Sequence, residues 1–435
     1  MKTLILNGSH ASDLMAERLS AILLKNLDER GWNSSTIILR EKKIGNCAGD
    51  FFCWIKTPGV CNVDDDNLEI AAKIMESDLV IYLSPVTFGG YSSVLKRMQD
   101  HQIQNISPFF TTINGETHHQ KRYQIYPRVL TIGWLNTPNA HAEAIFRYLA
   151  YRNSLNMYSD SSVCGIVYRD HKDAELMVSL NQWLDQTERG ARDPEPVLPT
   201  MPVSTVDAEK PRHAVLLVGS PRTRKSTSAS LGGYLFEQLS ARGVETVTIH
   251  LYTSLNSPER MEKLYALLDS ADLVVLAFPL YVDSLPAPVI SALERIAVHR
   301  SGHPDRPRFA AIANCGFPEV HHNDAALAIC AEFAGSVGFK WMGSLALGGG
   351  EGLIHGMPLN EMDGRAIPLK KSLDLAAEAL ANGEPVPQSS RDLLANPIIP
   401  SWMYKIFGGF GWRQQARRYG VQSRLRSRPY IDQNQ

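Results

Sequence analysis

Cysteine is scarce in this chain: six in 435 residues, too few for a disulfide scaffold and the usage of a reducing compartment. An excess of one charge is missing too. Forty-four Lys and Arg stand against 45 Asp and Glu, a formal net charge of −1, so nothing draws the whole molecule toward nucleic acid. No apolar run approaches the roughly 18 residues of a membrane helix. The apolar run inside MKTLILNGSH at the start falls short of the roughly 7–15 residues of a signal peptide. A cytoplasmic protein opening on a β-strand is therefore expected. Neither HExxH nor a Walker GKS or GKT occurs, which argues against a zinc protease of that type and a triphosphate loop. No Ser-His-Asp triad is recognisable.

What the chain does have is a repeat. LILNGS (Leu4–Ser9) returns as VLLVGS (Val215–Ser220), and SDLVIYLSPVTFGGYSSVLKRM (Ser77–Met98) as ADLVVLAFPLYVDSLPAPVISAL (Ala271–Leu293). Each pair is an apolar strand ending in Gly-Ser, then an apolar strand ending in a Pro-bearing loop. Around them strand and helix patterns alternate. Leu4–Leu6, Thr36–Leu39, Leu79–Leu83, Val129–Trp134 and Val163–Tyr168 read as strands of the first half. Ala214–Val218, Thr246–His250, Leu273–Ala277, Phe309–Ala313 and Trp341–Leu347 read as their counterparts. Such alternation predicts an α/β fold with two doubly wound five-stranded parallel sheets in tandem. The Pro- and charge-rich stretch 188–212 is expected to link domains spanning 1–187 and 213–385, with a basic aromatic tail over 386–435. In such sheets ligands bind beyond the carboxyl ends of the strands, where both repeated loops fall.

GSPRTRKSTS (Gly219–Ser228) carries the sharper phosphate signal. A glycine, the hydroxyls of Ser220, Ser226, Thr227 and Ser228, and a helix start suit an anion, and Arg222 adds charge. With FPLYVDSLPAPV (Phe278–Val289) and NCGFPE (Asn314–Glu319), this stretch resembles the flavodoxin-like NAD(P)H-dependent FMN reductases. The resemblance implies that the first loop holds the FMN phosphate. It implies that Pro279, Leu280, Tyr281 and Val282 line one side of the flavin, and Asn314, Cys315, Gly316 and Phe317 another. For Tyr281 and Phe317, ordinary packing is an equal alternative.

The first copy resembles the iron–sulfur flavoprotein-like branch of the same superfamily, through CAGDFFCWIKTPGVCNVDDD (Cys47–Asp66) and SPVTFGGYSSVLKRMQD (Ser84–Asp100). From the first-loop glycine to the Pro of the second loop it is 17 residues longer than the second copy (77 against 60), and the surplus carries Cys47, Cys53 and Cys61. Relatives that hold a cluster have a fourth cysteine where Asp50 stands. Three thiols leave a cubane ligand set incomplete, so the metal expectation is none. An iron–sulfur site through Cys47, Cys53 and Cys61, and a redox thiol pair, are the alternatives. Ser9 and Ser12 form a weaker phosphate loop, beside the acid Asp13. Pro85, Val86, Thr87, Phe88 and Gly89 fit a ring-binding loop.

These readings point to a flavoenzyme with FMN as cofactor and NAD(P)H as co-substrate, reducing a quinone, free flavin or other small acceptor. No acid–base dyad is required, because the chemistry would be flavin-borne. An electron carrier between protein partners, and a first domain that is a cofactor-free cover for the second, are the alternatives. Relatives pair subunits over the flavin, which a homo-oligomer or an intramolecular pseudo-dimer would reproduce. FFTTINGETHHQKRYQIYP (Phe109–Pro127) could meet a nucleotide or an interface. The tail Ser401–Pro429 is expected to dock on protein ahead of a membrane surface, because its GGFG should interrupt a long helix.

Overall fold

Among the described residues twelve strands carry the architecture: β1 (Lys2–Asn7), β2 (Asn33–Ile38), β3 (Leu79–Pro85), β4 (Ile106–Ile113), β5 (Glu116–Lys121), β6 (Arg128–Leu135), β7 (Ser162–Tyr168), β8 (His213–Val218), β9 (Glu245–His250), β10 (Leu273–Pro279), β11 (Arg308–Asn314) and β12 (Lys340–Leu347). The computed structural model describes residues 1–200, 202–204, 209–303 and 307–430. Residues 201 and 205–208 of the expected linker, and 431–435 of the expected tail, lie outside the described residues. The chain divides into two units: Met1–Leu198 with Lys405–Gln435, and Pro199–Tyr404. The C-terminal segment thus returns to the first unit.

The first unit holds an all-parallel sheet of order β2-β1-β3-β6-β7. The second holds one of order β12-β11-β10-β8-β9. Numbered within each sheet, both are 2-1-3-4-5, the flavodoxin-like winding. Strand composition follows position. β3 (LVIYLSP) and β10 (LVVLAFP) are covered on both faces and buried almost end to end, so they read as unbroken apolar runs. β2 (NSSTII) and β9 (ETVTIH) are edges, half open to water and correspondingly polar. Two of the helices that cover the sheets show a buried apolar stripe. Leu14–Glu29 turns Met15, Leu19, Ile22, Leu23 and Leu27 onto the first sheet, and Thr227–Ser240 turns Leu231, Leu235 and Leu239 onto the second.

Two features depart from the sequence reading. The first is an antiparallel hairpin, β4 with β5, that takes in most of Phe109–Pro127 and forms its own two-stranded sheet in the first unit. There His118 is buried between Glu116 and Asn156, and His119 lies against Trp54 and Phe110. The second departure is in the tail. Helix Ser401–Arg417 runs unbroken through Gly408, Gly409 and Gly411, so the expected interruption does not occur. Gly408 is a packing device: a Cβ there would lie 2.6 Å from Cε2 of Phe110. The helix can lie on the hairpin only where that side chain is missing.

Candidate functional site

The two halves build the same backbone frame at the carboxyl edge of their sheets. Gly8 N–H donates to Leu83 O and Gly219 N–H to Ala277 O, both at 2.8 Å. Val86 N–H donates to Trp134 O (3.0 Å) and Leu280 N–H to Asn314 O (2.8 Å), tying the third-strand loop to the fourth strand. Each third-strand loop then closes a two-residue turn: Thr87 and Gly90 exchange both backbone hydrogen bonds, as do Tyr281 and Ser284. Phe88 and Gly89, and likewise Val282 and Asp283, have positive φ (52° and 79°, 45° and 56°). Two left-handed residues in succession are the signature of a type I′ turn. Val and Asp in that region carry strain that the surrounding structure must impose. The frame leaves Pro279, Leu280, Tyr281, Val282 and Phe317 half-buried, and Pro85, Val86, Thr87 and Phe88 likewise.

On this common frame the phosphate loops differ. In the second unit Ser220, Ser226, Thr227 and Ser228 are all buried. Ser226 caps the helix, accepting from Ala229 N–H (3.1 Å) and donating to Thr223 O (2.7 Å). Ser228 donates to Asn314 Oδ1 (2.8 Å), joining two of the sequence-selected stretches. Thr227 Oγ1, at the first helical position, is buried and has no hydrogen-bond partner. A buried hydroxyl left unsatisfied costs roughly 1–3 kcal/mol. At a helix N-terminus, an anion is the group that would satisfy it.

A segment that the sequence reading did not select packs on this loop. After β12 the chain runs Gly348-Gly349-Gly350-Glu351, with Gly349 N–H on Phe317 O (2.7 Å) and Gly350 N–H on Cys315 O (3.1 Å). Gly356, at φ +73°, passes so close that a Cβ would lie 2.6 Å from Lys225 C. Glu351 pairs with Arg222 and with His355 (3.7 Å). The His355 hydrogen bond, then Arg222, pull the Glu351 carboxyl down to about 2, and Glu351 raises His355 in turn. Arg222 is therefore engaged by a carboxylate at the mouth of the loop. The run of glycines was the available signal. Cys315 is buried, its thiol donates to Phe317 O (3.2 Å), and burial pushes it up to about 12. It can serve the site through its backbone, and its side chain belongs to the core.

In the first unit the same place is filled from within. Asp13 caps helix Leu14–Glu29, its Oδ1 accepting from Met15 and Ala16 N–H (3.1 and 3.3 Å). Its Oδ2 accepts from Trp134 Nε1 (3.1 Å). Trp134 thus stands where Asn314 stands in the other half. Ser9 is buried and takes a hydrogen bond from Arg40 (2.8 Å), whereas Ser12 is exposed. A carboxylate occupies the helix N-terminus, where its charge opposes a phosphate.

Cys47, Cys53 and Cys61 are brought together closely enough that Cys61 adds to the rise at Cys47 and Cys53, and Cys47 to that at Cys53. Burial is the main cause that pushes Cys47 up to about 12 and Cys53 well above the usual thiol range. Asp50 turns its carboxylate to the backbone N–H of Phe52 (3.0 Å). His101, not selected from sequence, lies 3.7 Å from Cys61 Sγ through Nδ1 and 2.9 Å from Gly45 O through Nε2. The three thiols do not form a four-thiolate set.

The family model described as NADPH-dependent FMN reductase matches residues 1–113 and 213–344. An iron–sulfur flavoprotein of Methanocaldococcus jannaschii is 35% identical over 100 residues, 23% of this chain and 51% of that protein. One from Methanosarcina thermophila is 27% identical over 103 residues, 24% of this chain and 53% of that protein. The chain spans about half the length of these curated relatives. Among solved structures, an NAD(P)H:quinone oxidoreductase from Methanothermobacter marburgensis aligns at TM-score 0.30 and 16% identity, covering 42% of this chain and 96% of its own. An FMN-dependent NADH-azoreductase from Bacillus anthracis aligns at TM-score 0.29 and 14% identity, covering 39% and 99%. With a matched segment in each unit and more than half of its residues covered, the chain belongs to the NADPH-dependent FMN reductase family.

Proposed function

We propose that the chain is an NAD(P)H-dependent flavin oxidoreductase in which the second unit holds FMN and the first does not. The observation that carries this reading is the buried, unpartnered Thr227 hydroxyl at the head of helix Thr227–Ser240. Thr227 and the backbone N–H groups of the loop would hold the phosphate, with Ser220 beside them. Ser228 fixes Asn314, and Asn314 in turn anchors Leu280, so the phosphate loop and the ring-side loops are held as one unit. The half-buried Leu280, Tyr281, Val282 and Phe317 would cover the ring and keep water from it. Bound there, FMN would take a hydride from NAD(P)H and reduce a quinone, a free flavin or another small acceptor. No side chain need act as acid or base. In the first unit the cap is the Asp13 carboxylate, whose charge opposes a phosphate, where the second unit has the neutral Ser226.

The test uses the full chain equilibrated with FMN. Thr227→Val should weaken FMN binding by about 10- to 100-fold, the loss of one hydrogen bond to a charged group. Bleaching of the bound flavin by NADPH or NADH would support the reductase. A flavin that stays oxidised with both would favour a carrier between protein partners, and unchanged affinity in Thr227→Val would remove the site assignment.

A further inference from the structure

The C-terminal segment of the first unit is fixed on one side and open on the other. On its packed side, Gly408 admits Phe110, and Trp412 sets its ring against Phe51 and Trp54, both at 5.2 Å. Arg413 lies over Phe109 at 4.7 Å, and Lys405 donates to Thr112 Oγ1 (2.6 Å). Further on, Ala416 and Leu425 are buried, and Arg122 holds the carbonyls of Leu425 and Ser427. These contacts set the rotation of the helix about its own axis. The side they leave outward is apolar. Ile406, Phe407 and Phe410 are 62%, 63% and 64% exposed, and at spacings of one, three and four residues they share one helix face. Three large apolar side chains held together in water mark an interaction surface, in contrast to scattered single ones.

Charge decides what that surface fits. From Lys405 to Tyr430 the chain has seven Lys or Arg and no Asp or Glu, although the whole molecule is balanced. Arg417 and Arg418 are exposed at the end of the same helix. We propose that this face docks the protein on an anionic lipid surface, with Ile406, Phe407 and Phe410 entering the acyl boundary and the exposed Arg417 and Arg418 meeting the headgroups. No helix among the described residues is long and apolar enough to cross a membrane, so the helix lies on the surface and does not span it. The apolar side chains supply burial and the cations supply attraction to anionic headgroups. A neutral apolar groove on a partner protein would use the first and leave the second without a counterpart.

Co-sedimentation of the full chain with vesicles tests it, using phosphatidylcholine alone and phosphatidylcholine with about a quarter phosphatidylglycerol. Binding to the anionic vesicles, weak binding to the neutral ones, and release by salt are expected. The variant Ile406→Ser/Phe407→Ser/Phe410→Ser should lower partitioning by about tenfold or more. Arg417→Gln/Arg418→Gln should lower it less and flatten the salt dependence. All five positions are exposed, and an unchanged unfolding midpoint would show that each variant folds. Absence of wild-type binding to anionic vesicles overturns the proposal. So does equal binding by the triple serine variant, or a serine variant that dissociates an oligomer of the chain while the wild type ignores vesicles.

Discussion

Lys96 and Asp100 pair one turn apart on helix Ser93–Asp100, each only 1% exposed. Removing one partner of a buried pair loses the attraction that offsets desolvation of the other, so Lys96→Ala should destabilise the first unit, by up to about 3–5 kcal/mol. Denaturant unfolding would measure this, and Lys96→Met/Asp100→Leu should recover most of the loss. The pair also bears on the cysteine loop, because Asp100 helps raise Cys47. In the second unit, Glu351 and His355, which meet beside Arg222, respond to pH from opposite sides. Glu351 is lowered from 4.5 to about 2; its contribution is present above 4.5 and fades as pH falls toward 2. His355 is raised from 6.5; its contribution is full below 6.5 and fades as pH rises through its folded value. The contact should therefore be strongest between those limits. His355→Gln should flatten the loss of stability above neutral pH, as read from unfolding midpoints across pH. The sequence named Arg222 as a cation for phosphate and could not supply its acid, because Glu351 lies 129 residues further on. Only the return of the chain after β12 brings them together.

At the scale of elements, the repeated strands were the most legible part. Their apolar runs come from burial on both faces, which composition reports directly. The loops after β3 and β10 were legible for the same reason, since each follows a buried strand. The hairpin β4–β5 was not. TTINGETHHQK alternates polar residues with few apolar ones, and the hairpin's interior is made of aromatic contacts to Trp54 and the returning tail. Nor was the tail helix legible, since glycine weakens an isolated helix by about 1 kcal/mol per residue. Here Gly408 and Gly409 face the hairpin, and close packing there offsets that weakness.

For the whole molecule, one winding is used twice with unequal ends. The frame hydrogen bonds match pair by pair, from Gly8 and Gly219 to Trp134 and Asn314. What differs is the group that caps the helix: a charged, doubly engaged carboxylate, Asp13, in the first unit, and the neutral Ser226, followed by the buried, unpartnered Thr227 hydroxyl, in the second. The duplication itself was plain in the sequence. Its asymmetry needed the positions of Thr227 and Asp13, which have no visible meaning until the helices are placed. The measurement that bears most directly on this account is the number of FMN molecules held per full chain at saturation, compared between wild type, Thr227→Val and Asp13→Ala. One FMN per chain is expected, with sharply weaker binding in Thr227→Val and affinity for that FMN preserved in Asp13→Ala. Two FMN per chain, or a single one weakened by Asp13→Ala and indifferent to Thr227→Val, would contradict it.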